Sequence, residues 1–166
     1  MMDYLYAPWR TAYITNEEKI EGCVFCHISA HPELDDKHHV LYRDESCFVV
    51  MNRYPYTPGH FMIIPHTHTD ALETLDSAVW LRISALAQRG VAMLKEGFGA
   101  EGVNLGMNLG AAAGAGIAEH IHLHLVPRFP RDTNFITTIG HARVYSTDFQ
   151  RVYEKLKAMV PGYFAL

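Results

Sequence analysis

The sequence predicts an α+β domain with a largely antiparallel sheet, and three observations point there. Short apolar runs follow one another closely, one long helical stretch is inserted among them, and no repeat, linker or low-complexity tract divides the 166 residues. A chain of that length suits one core, so residues 1–166 are read as a single domain.

In chain order, residues 1–20 read as an arm anchored by Tyr4, Tyr6, Trp9 and Tyr13. Residues 23–28 are a compact element, and 29–39, rich in His and Asp, read as a polar loop. The apolar runs 40–43 and 47–52 flank 44–46 and suit a hairpin. Residues 54–59 hold two prolines and a glycine and form a turn, after which 61–64 is a strand that Pro65 ends. Residues 72–75 suit a short helical turn. Asp76 or Ser77 then caps a long helix reaching about Glu96, with Val79, Ile83, Leu86, Ala87 and Leu94 near one face. Residues 97–102 close that helix, 103–109 form a strand, and 110–116 are a glycine-alanine loop. A strand over 121–126 is stopped by Pro127, and 131–166 form a C-terminal extension with a helix over 148–159 closed by Pro161 and Gly162.

Composition narrows the class. With 14 basic against 18 acidic side chains and a net charge of −4, the chain lacks the basic excess that tracks nucleic acid. One pocket can still be positive and hold a small anion. No run of 18 apolar residues predicts a membrane span, and the N-terminus lacks the pattern of a signal peptide. Three cysteines, an odd count, fit a reduced, cytoplasmic setting better than a disulfide scaffold.

Residues 119–128 read EHIHLHLVPR. On a strand, His120, His122 and His124 would share one face while Ile121 and Leu123 face the core. A polar sheet face, a metal row and a catalytic surface are the three readings of such a pattern. Adjacent same-face residues rarely all reach one ion, so at most one or two of the three would ligate a metal. The segment before the row, with Asn104, Gly106, Asn108, Gly110, Gly114 and Gly116, lets backbone N–H groups approach an anion. It is not a Walker loop, since no Gly-Lys-Ser/Thr follows. Cys23 and Cys26 form a CxxC, ambiguous by itself among zinc, redox chemistry and chance; the βαβ context of a redox motif is missing.

The run NLGMNLGAAAGAGIAEHIHLHLVPR, from Asn104 to Arg128, resembles the signature of the histidine triad (HIT) family. The resemblance extends to Cys23–Cys26, to residues 48–52 and to GHFMIIPHTH at 59–68, covering most of 20–130. It implies a five-stranded antiparallel sheet with a long central helix and a C-terminal helix, usually paired as a homodimer. It also implies that His122 attacks an α-phosphorus to form a covalent His–nucleoside monophosphate. His124 would contact the phosphate or leaving group, and His120 belongs to the same row. Asn108 would orient the phosphate with amides of Gly114, Ala115 and Gly116. Asn52, where many relatives carry aspartate, would bind the ribose hydroxyls. Phe25, Ile28 and Phe48 would wall the base pocket, though each also suits ordinary core. The resemblance completes a structural zinc site from Cys23, Cys26, His68 and His120, with His66 as competitor to His68. No organic cofactor is expected. Cys47 is read as packed, His27, His31, His38 and His39 as solvated, and His60 as structural; His141 is given no role.

Three second nucleophiles distinguish the family's reactions: water, inorganic phosphate or a sugar phosphate. The last usually accompanies His-Pro-His, which is not present here. Gly116 stands where common hydrolase members carry glutamine, and Glu119 and RDTNFITTI at 131–139 are similar to the bacterial diadenosine tetraphosphate phosphorylases. Phosphorolysis of diadenosine tetraphosphate to ATP and ADP is therefore the expected reaction. The alternatives are a hydrolase of dinucleoside polyphosphates or nucleoside phosphoramidates, a nucleotide-binding module without turnover, and a purely structural zinc protein.

Overall fold

One side chain makes the turn that starts the sheet. Asp44 Oδ1 accepts the backbone N–H groups of Ser46 (2.9 Å) and Cys47 (3.1 Å), folding β1 (Val40–Arg43) onto β2 (Cys47–Met51). The computed structural model describes residues 20–140, 145 and 147–164; the aromatic arm before Ile20 and His141 lie outside the described residues. β3 (Phe61–Pro65), β4 (Gly102–Gly106) and β5 (Leu123–Arg128) complete a five-stranded sheet in the order β1-β2-β3-β5-β4, every pair antiparallel.

Period-two alternation gives the sheet two buried faces. Val49, Met51, Phe61, Ile63, Leu123 and Leu125 point to one, and Phe48, Val50, Met62 and Ile64 to the other. The first face is covered by α3 (Ser77–Ala92) and α5 (Phe149–Phe164), the second by α1 (Val24–Ala30) through Phe25 and Ile28; a four-residue α2 (Asp35–His38) follows α1, and a short α4 (Phe135–Ile139) precedes α5. Asp76 is the cap of α3, its carboxylate accepting from Ala78 and Val79. Gly90 lets α3 approach the sheet: a Cβ there would lie 2.9 Å from Leu125 Cδ2 and 3.0 Å from Phe61 Cζ. Arg43 fixes α1, donating to the carbonyls of Ser29 and Ile28 at its C-terminal end and to the Asp35 carboxylate.

Several boundaries differ from expectation. Residues 29–39 are not a loop but a 3₁₀ turn (Pro32–Leu34) and α2, closed by His39 in the left-handed conformation (φ 59°). β5 begins at Leu123, so His120 and His122 precede the ladder. Pro127 does not stop β5 but pairs with Val103 within it. β3 ends its pairing with β5 at Phe61–Leu125, so Pro127 has a strand neighbour on one side only, where a missing N–H is tolerated. β4 stops at Gly106, short of Leu109. Pro161 lies inside α5, which runs to Phe164: that ring is fully buried 5.4 Å from Tyr42, and its packing holds the last turn. Among the described residues no helix is long and apolar enough to cross a membrane.

Candidate active site and metal centre

Hydrogen bonds assign the protons of the histidines. A carbonyl oxygen can only accept, so a ring nitrogen facing one must carry hydrogen. His122 Nδ1 lies 2.8 Å from the His120 carbonyl, which puts the proton on Nδ1 and the lone pair on Nε2. His122 is 6% exposed, and its ring lies 5.1 Å from Phe25 and 4.8 Å from His124. No hydrogen bond occupies Nε2 among the described residues.

His60, read from sequence as structural, is fully buried and is tied to the histidine row. The Tyr56 backbone N–H donates to His60 Nδ1 (3.2 Å), so His60 Nε2 carries hydrogen and donates to His124 Nδ1 at 2.9 Å. That leaves His124 with its own proton on Nε2, a donor for whatever occupies the site. No local pattern marks His60, which sits 64 positions before its partner; the only signal is its place after Gly59 at the start of β3. Asn52 lies beside the same ring, its amide 3.4 Å from His60 and its Oδ1 accepting from the Tyr54 N–H.

Burial, then the neighbouring His124 and His122, pushes His60 down to about 3; burial, then His122, pushes His124 to about 4. Both rings are neutral at pH 7. In the unfolded chain each takes up a proton near pH 6.5, and in the folded chain only near 3 to 4. Stability is therefore complete above about pH 6.5 and falls as pH drops toward 4, because the unfolded state binds more protons there. Thermal melts between pH 7.5 and 4.5 should show that loss, with a shallower slope in His60→Asn. An equal slope in the variant would contradict the assignment.

The phosphate loop departs from expectation. Gly114 and Ala115 spend their N–H groups inside it, on the Ala111 (3.0 Å) and Gly110 (3.4 Å) carbonyls of a 3₁₀ turn (Ala111–Ala113). Asn108 Nδ2 reaches the Gly114 carbonyl at 3.5 Å. Of these three amides, Gly116 alone has no N–H partner among the described residues. Phe25, Ile28 and Phe48, the expected base wall, belong to the closed core beneath α1; of the three only Phe25 touches the histidines, and Phe48 stacks on His66.

Cys23, Cys26, His68 and His120 converge, with their ligand atoms all within 4.8 Å of one another. Cys23 Sγ is 3.4 Å and Cys26 Sγ 3.6 Å from His120 Nδ1, and Cys26 Sγ is 3.2 Å from His68 Nδ1. A tetrahedral zinc ion separates a sulfur and a nitrogen ligand by about 3.5 Å, so the set has the right edge lengths. His120 Nε2–H donates to the Pro65 carbonyl (3.0 Å), which turns the Nδ1 lone pair to the thiols, as ligating imidazoles commonly require. His66 is excluded from the group: its nitrogens are bonded to Ser29 Oγ and the Asp44 carbonyl. Cys47 is fully buried, its thiol pushed up to about 12 by burial. His27, His31 and His38 are not solvated as expected but half-buried, with His27 stacked on His31 at 4.3 Å and edge-on to His38 at 5.5 Å. His39 is half-buried too, between the rings of Phe149 and Tyr153.

A five-stranded antiparallel sheet presenting three histidines ahead of and within β5 defines a class: the chain belongs to the HIT domain family, whose model matches residues 33–131. Among curated proteins it is 40% identical over 114 residues to the AP-4-A phosphorylase of Mycobacterium tuberculosis, covering 68% of this chain and 58% of that protein. It is 38% identical over 111 residues to an adenylylsulfatase of Arabidopsis thaliana, covering 66% and 54%. The chain thus spans little more than half the length of these relatives. Among solved structures, a zinc-bound histidine triad family protein from Mycobacterium smegmatis superposes with a TM-score of 0.70 at 31% identity, over 85% of this chain and 94% of that one.

Proposed function

We propose that this protein is a nucleotidyl-transferring enzyme that splits diadenosine tetraphosphate with inorganic phosphate, giving ATP and ADP through a His122–AMP intermediate. The observation that carries the proposal is the His122 Nδ1–H bond to the His120 carbonyl, which leaves Nε2 as the nucleophilic lone pair in a water-poor site. In the first step Nε2 forms a bond to the α-phosphorus, the bond to the bridging oxygen breaks, and ATP leaves. In this reading His124 Nε2–H and the Gly116 N–H donate to phosphate oxygens as charge moves. In the second step inorganic phosphate attacks the same phosphorus, the P–N bond breaks, and ADP forms. Asn52 would bind the ribose hydroxyls. The likeness to the mycobacterial AP-4-A phosphorylase favours phosphate as acceptor. We further propose that Cys23, Cys26, His68 and His120 hold a structural zinc ion, that residues 1–166 act as one domain, and that the protein works as a cytoplasmic homodimer. The exposed β4 edge, with Leu105 53% exposed, suits that pairing.

Product analysis with and without phosphate tests the reaction; release of two ADP, or of ATP and AMP, without phosphate would overturn it in favour of hydrolysis. Gly116 offers a sharper test. A side chain added there meets no atom within 4 Å, and the backbone lies outside the left-handed region, so Gly116→Gln folds without strain. The bulk beside the acceptor's path should lower phosphate-dependent turnover about tenfold or more relative to hydrolysis, as removal of a good transition-state contact does. Unchanged partitioning between phosphate and water would remove Gly116 from the acceptor site.

A further inference from the structure

A cavity of about 960 Å³ lies at the far end of the sheet, lined by Tyr56, Phe98 and Phe129 and by Arg131, Arg151 and Lys155. Pockets for ligands of nucleotide size run to roughly 1,000 Å³. Arg151 and Lys155 stand four residues apart on α5 and share one helix face. With Arg131 they put three cations on one wall of a chain whose net charge is −4. Among the described residues none of the three has a carboxylate within salt-bridge distance, whereas Asp132, on the same wall, is taken by Arg128. Lys155 Nζ lies 4.9 Å from the Phe98 ring centre, and Phe98 lies 6.0 Å from Phe129. Flat apolar surface therefore adjoins unneutralised positive charge, the pairing that a base attached to phosphates requires.

Two further observations bear on the occupant. Tyr56 also lines the smaller cavity that contains His124 and Asn108, and its ring centre is 4.7 Å from His60 and 6.2 Å from His124. The basic cavity thus shares its Tyr56 wall with the cavity that contains His124. Arg131 itself is left-handed, φ 63°, a conformation disfavoured for an ordinary L-residue. Folding alone favours glycine or asparagine there, so an arginine held in that conformation fits a role in ligand binding.

We propose that this cavity holds the leaving half of the dinucleoside polyphosphate, its distal phosphates on Arg131, Arg151 and Lys155 and its base against Phe98 and Phe129, an assignment that rests on the nucleotidyl-transfer reading above. The occupant is a nucleoside polyphosphate, and Tyr56 marks the crossing between the two halves. The cations act on binding of a long leaving group, so they select dinucleoside polyphosphates over donors whose leaving group is small.

Two variants test this: Arg131→Asn, which removes a cation and relieves the left-handed conformation, and Arg151→Gln with Lys155→Gln, both exposed positions. The measurements are KM and kcat for diadenosine tetraphosphate against adenosine 5′-phosphoramidate, and calorimetric affinities for ATP and AMP. Each variant should raise the ratio of the two KM values about tenfold or more and weaken ATP relative to AMP by a similar factor, with the melting temperature of Arg131→Asn equal to or above wild type. ATP and AMP affinities that stay in their wild-type ratio in both variants overturn the cavity assignment, whatever the activity. A wild type inert toward diadenosine tetraphosphate overturns the functional reading instead; the ATP-to-AMP ratio then decides alone whether the cavity takes a nucleoside polyphosphate.

Discussion

His122→Gly loses nucleotidyl transfer by about 10³-fold or more and accumulates no labelled protein–AMP adduct. The size follows from the role: no other ring nitrogen near the site combines a free lone pair with this burial. His124 Nδ1 is occupied by His60, and His120 Nδ1 faces the thiols. Loss of the ring also opens a gap against Phe25, so a stability control is needed. His122→Asn supplies it. Its amide can still donate to the His120 carbonyl, so the variant folds while lacking the nucleophile. Added imidazole should restore part of the activity of the glycine variant and none of the asparagine variant, whose side chain fills the space. Wild-type turnover in either variant would end the covalent mechanism.

Removing a zinc ion from the proposed Cys23, Cys26, His68 and His120 site is the second large effect. Chelation of the zinc-loaded protein, or Cys26→Ala, should lower the melting temperature by on the order of 10 °C. Structural zinc contributes directly to folding free energy, and each 1 kcal/mol is about 2–4 °C for a chain of this size. The four proposed ligands come from three separate places, the start of α1, the turn after β3 and the approach to β5, so loss of an ion held there would loosen α1 from the sheet. Arg43 still holds the other end of α1, which keeps the loss short of global unfolding. Cobalt substitution gives an independent readout, because a tetrahedral site with two thiolates produces thiolate-to-cobalt absorption. If the chain binds neither ion and its melting temperature is indifferent to Cys26→Ala, Cys23 and Cys26 are simply two reduced thiols and the zinc site falls.

What could be read in advance was whatever repeats along the chain. The alternation of His120, His122 and His124 and the spacing of Cys23 and Cys26 are local patterns, and the periodicity of Ile83, Leu86 and Ala87 marks the buried face of α3. The hydrogen-bond partners are not local. Nothing near His60 says that it will meet His124, because the contact is created by pairing Met62 with His124 across two strands. Nothing in the glycine loop says that Gly114 and Ala115 will bond backward into a turn. Pro127 continues the strand for a related reason: a proline is tolerated where one side is unpaired, and β3 has already stopped beside it. Arg131, Arg151 and Lys155 are scattered charges until α5 folds back beside the segment that follows β5.

The bonds from Tyr56 to His60 to His124 also have a sense of direction. A backbone N–H cannot become an acceptor, so the first bond cannot reverse, and every bond after it is set the same way. His124 is therefore closed to protons on its inner nitrogen and open only on its outer one. Being neutral, with its one proton on that outer nitrogen, His124 can lend a hydrogen bond to a phosphate in the proposed reaction but has no second proton to give away. A proton taken up by the leaving nucleotide in that reaction must therefore come from solvent and not along the bonds from Tyr56 through His60.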